Sequence, residues 1–170
     1  TLESEVGRGT VVDVYLPRSD APDAATRPNL PPLVRGAGET ILLVEDDADV
    51  RRVMRERLKA LGYRVETAAD PSAARAVLDA GVPVDLVLTD IVMPGGITGL
   101  DFARTLRAED PERRIVVTSG FAEDLAGGPA TGEIEFPFLR KPHSLAELAT
   151  TVAAALRAAP TEPRNGRPGI

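Results

Sequence analysis

Four stretches of the chain are almost continuously apolar: Ile41-Leu42-Leu43-Val44, Leu86-Val87-Leu88, Ile115-Val116-Val117 and Phe136-Pro137-Phe138-Leu139. Short β-branched runs bounded by turn signals suit strands of a parallel sheet that is covered on both faces. They predict strands over Thr40–Val44, Val84–Thr89, Arg114–Thr118 and Phe136–Arg140, and the alternating stretch Tyr63–Thr67 predicts one more. Between the strands the apolar spacing turns helical. Val50, Val53, Met54, Leu58 and Leu61 share one helix face, and Gly62 stops that helix. Ala73, Ala74, Val77 and Leu78 line a second helix, entered at Pro71, capped by Asp70 or Ser72 and ended by Gly81. Gly99–Arg107 predicts a third. Ala122–Leu125 starts a short fourth that Gly127-Gly128-Pro129 breaks. Ser144-Leu145-Ala146-Glu147 has the capping-box pattern, and Leu148, Val152, Ala155 and Leu156 carry the last helix to Ala158. This alternation predicts an α/β fold: a flavodoxin-like, doubly wound, five-stranded parallel sheet of order 2-1-3-4-5 with helices on both faces.

The predicted domain covers residues 39–158. Before it, Gly7-Arg8-Gly9 marks a turn and Thr10–Leu16 reads as a strand ended by Pro17. Residues 18–38 hold Pro22, Pro28, Pro31, Pro32, Gly36 and Gly38 and few large apolar side chains, the composition of a flexible linker. Residues 159–170 read as a loose tail. The chain opens at Thr1 without a methionine, as a piece of a longer protein does, and no signal peptide is visible.

Composition narrows the chemistry. The chain has 170 residues with no cysteine and a single histidine, which excludes disulfides, thiolate sites and multi-histidine metal centres. A net charge of −6, with no basic block, argues against nucleic acid as a partner. No apolar run is long enough to span a bilayer, so no membrane contact is expected and the cytoplasm is the expected location.

The candidate chemistry lies where the strands end. Glu45 and Asp46 follow the first strand of the domain, Asp90 ends the third, Ser119 the fourth and Lys141 the fifth. In open α/β sheets these carboxyl ends are where ligands bind. Three converging carboxylates repel one another unless a cation joins them, and Mg²⁺ suits one or two carboxylates together with phosphate oxygens. Asp90 is then the nucleophile that takes a phosphoryl group, with the Ser119 hydroxyl and the Lys141 ammonium on its oxygens. Taken singly, each residue has an ordinary reading: a helix cap, a dipole partner or a surface side chain. Their succession at the ends of strands one, three, four and five is far more specific.

Val44-Glu45-Asp46-Asp47, Thr89-Asp90-Ile91-Val92-Met93-Pro94, Val117-Thr118-Ser119-Gly120 and Lys141-Pro142 together resemble the motifs of response-regulator receiver domains of two-component signalling. The resemblance implies that Glu45 and Asp46 are the acidic pair that holds Mg²⁺ (or Mn²⁺). It implies that Asp90 is the phospho-acceptor, the Val92 main-chain carbonyl a metal ligand, Ser119 the switch hydroxyl and Lys141 the family's lysine. Phe138 falls at the aromatic switch position, and reads equally as a core residue. Thr118 leaves the hydroxyl position open by one residue; Gly120 beside it favours Ser119. The loop Gly95–Gly99 is one residue longer than the family's usual loop and has Thr98 in place of an aspartate. His143 reads as a solvated loop residue. Ser4–Thr10 with the strand after it and Leu16-Pro17-Arg18 resemble the last hairpin of a histidine-kinase ATP-binding domain. Residues 1–17 are then the remnant of that domain, without its nucleotide-binding boxes, and the parent chain is a hybrid histidine kinase.

The expected function is to accept phosphate from the phosphohistidine of a histidine kinase or a histidine phosphotransfer protein, and to switch conformation. With no DNA-binding segment after residue 158, output is expected to run through a partner. The alternative is a degenerate receiver that binds proteins without phosphate, against which the complete acidic set speaks. An aspartate-nucleophile phosphatase requires a second acid where Val92 stands, and an FMN site requires a phosphate-cradling loop where Glu45-Asp46-Asp47 stands.

Overall fold

Strands β3 (Thr40–Val44), β4 (Arg64–Ala68), β5 (Leu86–Asp90), β6 (Ile115–Ser119) and β7 (Phe138–Arg140) form one parallel sheet in the order β4-β3-β5-β6-β7. Counted from the first strand of the domain, this is 2-1-3-4-5, as predicted. The structure, a computed structural model, describes residues 1–16, 33–94, 97–120 and 135–158. Among the described residues, four helices belong to the sheet: α1 (Ala48–Ala60), α2 (Pro71–Asp79), α3 (Gly99–Glu109) and α4 (Leu145–Arg157). The expected short helix at 122–125 lies outside the described residues, as do the 159–170 tail and most of the linker.

Strand alternation divides the core in two. Ile41, Leu43, Leu86, Leu88 and Val116 point to one face, where Met54 and Leu58 of α1 and Leu148 and Val152 of α4 cover them. Leu42, Val44, Val87 and Val117 point to the other, against Ala74 of α2 and Leu100, Ala103 and Leu106 of α3. Helices on both faces explain why β3, β5 and β6 are buried at every residue, whereas the edge strand β4 shows Arg64, Glu66 and Thr67 to solvent.

Local signals set the helix ends. Asp47 caps α1, Asp70 caps α2 and Thr98 caps α3, each accepting main-chain N–H groups with its side chain. Ser144 and Glu147 form the complete capping box of α4. Gly62 takes φ +94°, the left-handed turn that ends α1. The last strand is shorter than predicted and starts at Phe138. Pro137 has no N–H to donate, and its carbonyl alone continues the ladder by accepting from the Val117 amide at 3.0 Å.

The domain also begins before Glu39. Leu33 packs against the α1–α4 side of the core. The Gly36 amide donates to the Leu61 carbonyl at 2.8 Å, and Arg35 donates to that of Ala60 at 3.0 Å. Composition assigned these residues to the linker because glycine and proline mask the single leucine that anchors them.

The chain divides into two units, Thr1–Pro31 and Pro32–Ile170. In the first, β1 (Leu2–Glu5) and β2 (Gly9–Val12) form an antiparallel hairpin. β2 stops at Val12, short of the predicted Leu16, because β1 pairs it only from Leu2, and the Asp13 amide closes the ladder on the Thr1 carbonyl. Among the described residues, no helix is long and apolar enough to cross a membrane.

Candidate functional site

Parallel pairing delivers the carboxyl ends of β3, β5, β6 and β7 to one edge of the sheet. Main-chain bonds carry the ladder one residue past each strand. Glu45 N donates to Ala68 O, Ile91 N to Thr118 O, and Lys141 N to Ser119 O, at 2.8–3.1 Å. Asp90 is thus held within the sheet itself, and the backbones that carry Glu45 and Lys141 are extensions of it rather than free loops.

Lys141 joins the cluster. Its Nζ donates to Glu45 Oε2 at 2.6 Å and to Asp90 Oδ2 at 2.7 Å. The two carboxylates are nearly buried, with Glu45 3% and Asp90 9% exposed. Burial pushes the Glu45 carboxyl above its usual range, although its hydrogen bond to Lys141 pulls the other way. Burial likewise works against the charged form of Lys141, but the hydrogen bonds it donates to Asp90 and Glu45, together with their negative charges, outweigh it and hold the ammonium above its usual value. The second Asp90 oxygen faces the Val92 amide at 3.4 Å.

The acidic triplet divides its work. Asp47 turns away to cap α1, accepting from the amides of Asp49 and Val50 at 2.9 Å each, and these bonds hold its carboxyl below the usual range. Asp46 joins Glu45 and Asp90: one oxygen from each lies within 4.8 Å of the others. Ligand oxygens around octahedral Mg²⁺ are about 3–4 Å apart, so a small closure would bring these three to coordinating distance. Among the described residues the site carries three carboxylates for one ammonium, an excess of negative charge that fits a hard cation. Val92, the expected carbonyl ligand, stands two residues after Asp90 with an exposed side chain, between the buried Ile91 and Met93.

Thr118 and Ser119 are both buried at the end of β6, with Thr118 opposite Asp90 and Ser119 opposite Arg140 in the register. Phe138 is half-buried and packs against the α2–α3 side of the core. It also lines a surface cleft with Pro142 and, from α4, Thr150 and Thr151. Thr98, in place of the family's aspartate, caps α3: its hydroxyl donates to Asp101 Oδ2 at 2.7 Å and accepts from the Asp101 amide at 3.1 Å. His143 is not the solvated residue expected. It is half-buried, burial holds its imidazole below the usual histidine range, and its carbonyl accepts from Arg57 of α1 at 3.2 Å.

Two contributors escaped the sequence reading. A Cβ on Gly99 would lie 1.7 Å from the Asp90 carbonyl oxygen, so only glycine lets α3 start against the end of β5. Arg51 of α1 donates from one terminal nitrogen to the carbonyls of both Glu45 and Asp46, the latter at 3.0 Å. Nothing in the local pattern separates Arg51 from the other basic residues of that helix.

Comparison with known proteins agrees with this geometry. Residues 41–153 match the family model of the response regulator receiver domain. The chain is 37% identical over 163 residues to the sensor kinase CckA of Brucella abortus, covering 91% of this chain and 17% of that kinase. Such a match cannot fit within residues 33–170 alone and takes in part of the N-terminal segment. The receiver protein CpdR of the same organism is 35% identical over 70% of this chain and 98% of its own length. Among solved structures, response regulator TrrA of Thermotoga maritima, determined with Mg²⁺ and BeF, superposes with a TM-score of 0.61 at 26% identity, over 69% of this chain and 98% of that one. A five-stranded sheet with this order, an acidic cluster bridged by a lysine at its carboxyl edge and a family match across most of the domain lead to one conclusion: the chain belongs to the response regulator receiver domain family.

Proposed function

We propose that Asp90 accepts a phosphoryl group from the phosphohistidine of a histidine kinase or a histidine phosphotransfer protein, in the cytoplasm, with Mg²⁺ (or Mn²⁺) held by Glu45, Asp46, Asp90 and the Val92 carbonyl. The observation that carries this reading is the buried contact of Lys141 with Glu45 and Asp90, which puts a fixed cation at the nucleophile. An Asp90 oxygen attacks phosphorus in line; the new O–P bond forms as the P–N bond to the donor imidazole breaks, and the imidazole leaves with its electron pair and takes a proton from solvent. Lys141 turns from the carboxylate to an oxygen of the transferred group. The metal, when bound, offsets charge on the same oxygens. The Ser119 hydroxyl then moves to the phosphoryl group and Phe138 turns inward, so that chemistry at Asp90 changes the cleft beside α4.

The N-terminal hairpin and the extent of the CckA match support a parent hybrid kinase in which this receiver follows the ATP-binding domain. Incubation with Mg²⁺ and acetyl phosphate, followed by intact-mass measurement, tests the acceptor. The wild type gains one phosphoryl group, whereas Asp90→Asn and the metal-free sample gain none. Ser119→Ala slows uptake or loss of the group more than Thr118→Ala does. A wild type that takes up nothing sinks the proposal and leaves a phosphate-independent binding module.

A further inference from the structure

The acidic pair lies on a turn between β3 and α1, and a turn does not by itself hold two carboxylates in one direction. Glu45 is tied to the sheet through its amide. Its carbonyl and that of Asp46 point toward α1, where no strand can accept them into a ladder. Arg51 fills that gap. Its own amide donates to the Asp47 carbonyl at 2.8 Å in the first turn of α1, and its half-buried side chain folds back so that the two hydrogens of one terminal nitrogen reach the Glu45 and Asp46 carbonyls. Three consecutive carbonyls of the acidic turn thus end on a single residue.

We propose that Arg51 is the positioning residue of the metal site: by clamping the two carbonyls it sets the peptide planes, and with them the directions in which the Glu45 and Asp46 carboxylates leave the backbone. This rests on the phospho-acceptor reading of the site. The guanidinium donates to the main chain rather than to either carboxylate. It therefore leaves the carboxylate oxygens to the cation and acts through geometry. A nearby positive charge by itself would weaken cation binding, so the sign of the effect separates the two roles. Partners that orient metal ligands typically contribute about 10–100-fold in affinity.

The test is Mg²⁺ titration by calorimetry at fixed pH and salt, on the full chain without phosphodonor, beside the rate of acetyl phosphate uptake as a function of Mg²⁺. Arg51→Met removes the donor and keeps the stem, and is expected to raise the Mg²⁺ Kd about tenfold or more. It also raises the half-saturating Mg²⁺ for uptake, while the rate at saturating Mg²⁺ falls much less. Arg51→Lys, with a single ammonium in place of the fork, raises the Kd about threefold. Arg52→Met removes an exposed partner of Asp49 and leaves both values unchanged. Circular dichroism and the thermal midpoint monitor folding. An Arg51→Met protein that binds Mg²⁺ as the wild type does, or more tightly, overturns the proposal. Should that variant not fold, a wild-type Kd in Arg51→Lys overturns it instead. A wild type that neither binds Mg²⁺ nor takes up phosphate removes the underlying site reading, which is a different result from equal binding by wild type and variant.

Discussion

Lys141 is the residue on which the electrostatics of the site turn. It is the ammonium shared by two nearly buried carboxylates. Breaking a buried ion pair by removing one partner leaves uncompensated charge and costs about 3 kcal/mol or more. Lys141→Met is therefore expected to lower the urea-unfolding free energy at neutral pH by about 3 kcal/mol without metal, and added Mg²⁺ is expected to recover part of the loss by supplying another counter-charge. A variant as stable as the wild type would show that the carboxylates do not need the lysine. Gly99 makes a steric demand of similar weight. Gly99→Ala drives a methyl into the Asp90 carbonyl, and overpacking of this kind costs about 1–3 kcal/mol, to be read as a lower denaturant midpoint together with slower phosphoryl uptake. Asp90, Lys141 and the acidic pair were legible in the sequence because each stands within two residues of the end of an apolar run, where the carboxyl end of a strand is expected. Gly99 and Arg51 were not, because a clash avoided and a carbonyl clamped are relations between segments that only packing brings together.

At the level of elements, what was legible followed from backbone chemistry. The starts of α2 and α4 were announced by residues that can accept N–H groups, Asp70 and Ser144, whereas the caps Asp47 and Thr98 came only with the structure; the last strand starts late because Pro137 has no N–H to donate. The caps have measurable consequences. Ser144→Ala breaks the capping box of α4 and is expected to cost about 1 kcal/mol in chemical denaturation. Main-chain and hydroxyl donors hold Glu147 and Asp70 below their ordinary values of 4.5 and 3.8. In Glu147 the amide and hydroxyl of Ser144 do this; in Asp70 it is first the Ser72 hydroxyl and then the Ala73 amide. A depressed folded-state value means that the unfolded chain binds the proton more readily. The stabilising contribution is therefore complete above the ordinary value and is lost as pH falls through the depressed one. A Glu147→Gln/Asp70→Asn double variant, which carries no titrating cap at these two sites, should lose less stability than the wild type between pH 5 and pH 3, as followed by urea midpoints across that range. An unchanged acid profile would assign the acid sensitivity to other carboxylates.

At the scale of the molecule, the question is where the receiver begins. Counting prolines and glycines put the boundary at Glu39, because a linker is recognised by composition and one leucine does not alter composition. Packing decides otherwise. Leu33 contributes apolar surface to the α1–α4 side of the core, and the backbone at Gly36 is pinned to the end of α1, against the ring of Tyr63. These contacts lie wholly within the second unit, so they are testable by trimming. A chain starting at Leu33 keeps every one of them and is expected to unfold at the same urea concentration as the full chain. A chain starting at Glu39 exposes the part of the α1–α4 core that Leu33 covers and the Tyr63 ring beside Gly36, and leaves the Leu61 and Ala60 carbonyls without those two donors, together worth about 2 kcal/mol. Both should take up phosphate from acetyl phosphate at the full chain's rate while folded, because Glu45, Asp46, Asp90 and Lys141 all lie on the far side of β3 from the trimmed segment's attachment at Thr40. Equal stability of the two shortened chains would return residues 33–38 to the linker; a slower uptake by the chain that starts at Leu33 would mean that the first 32 residues take part in the chemistry.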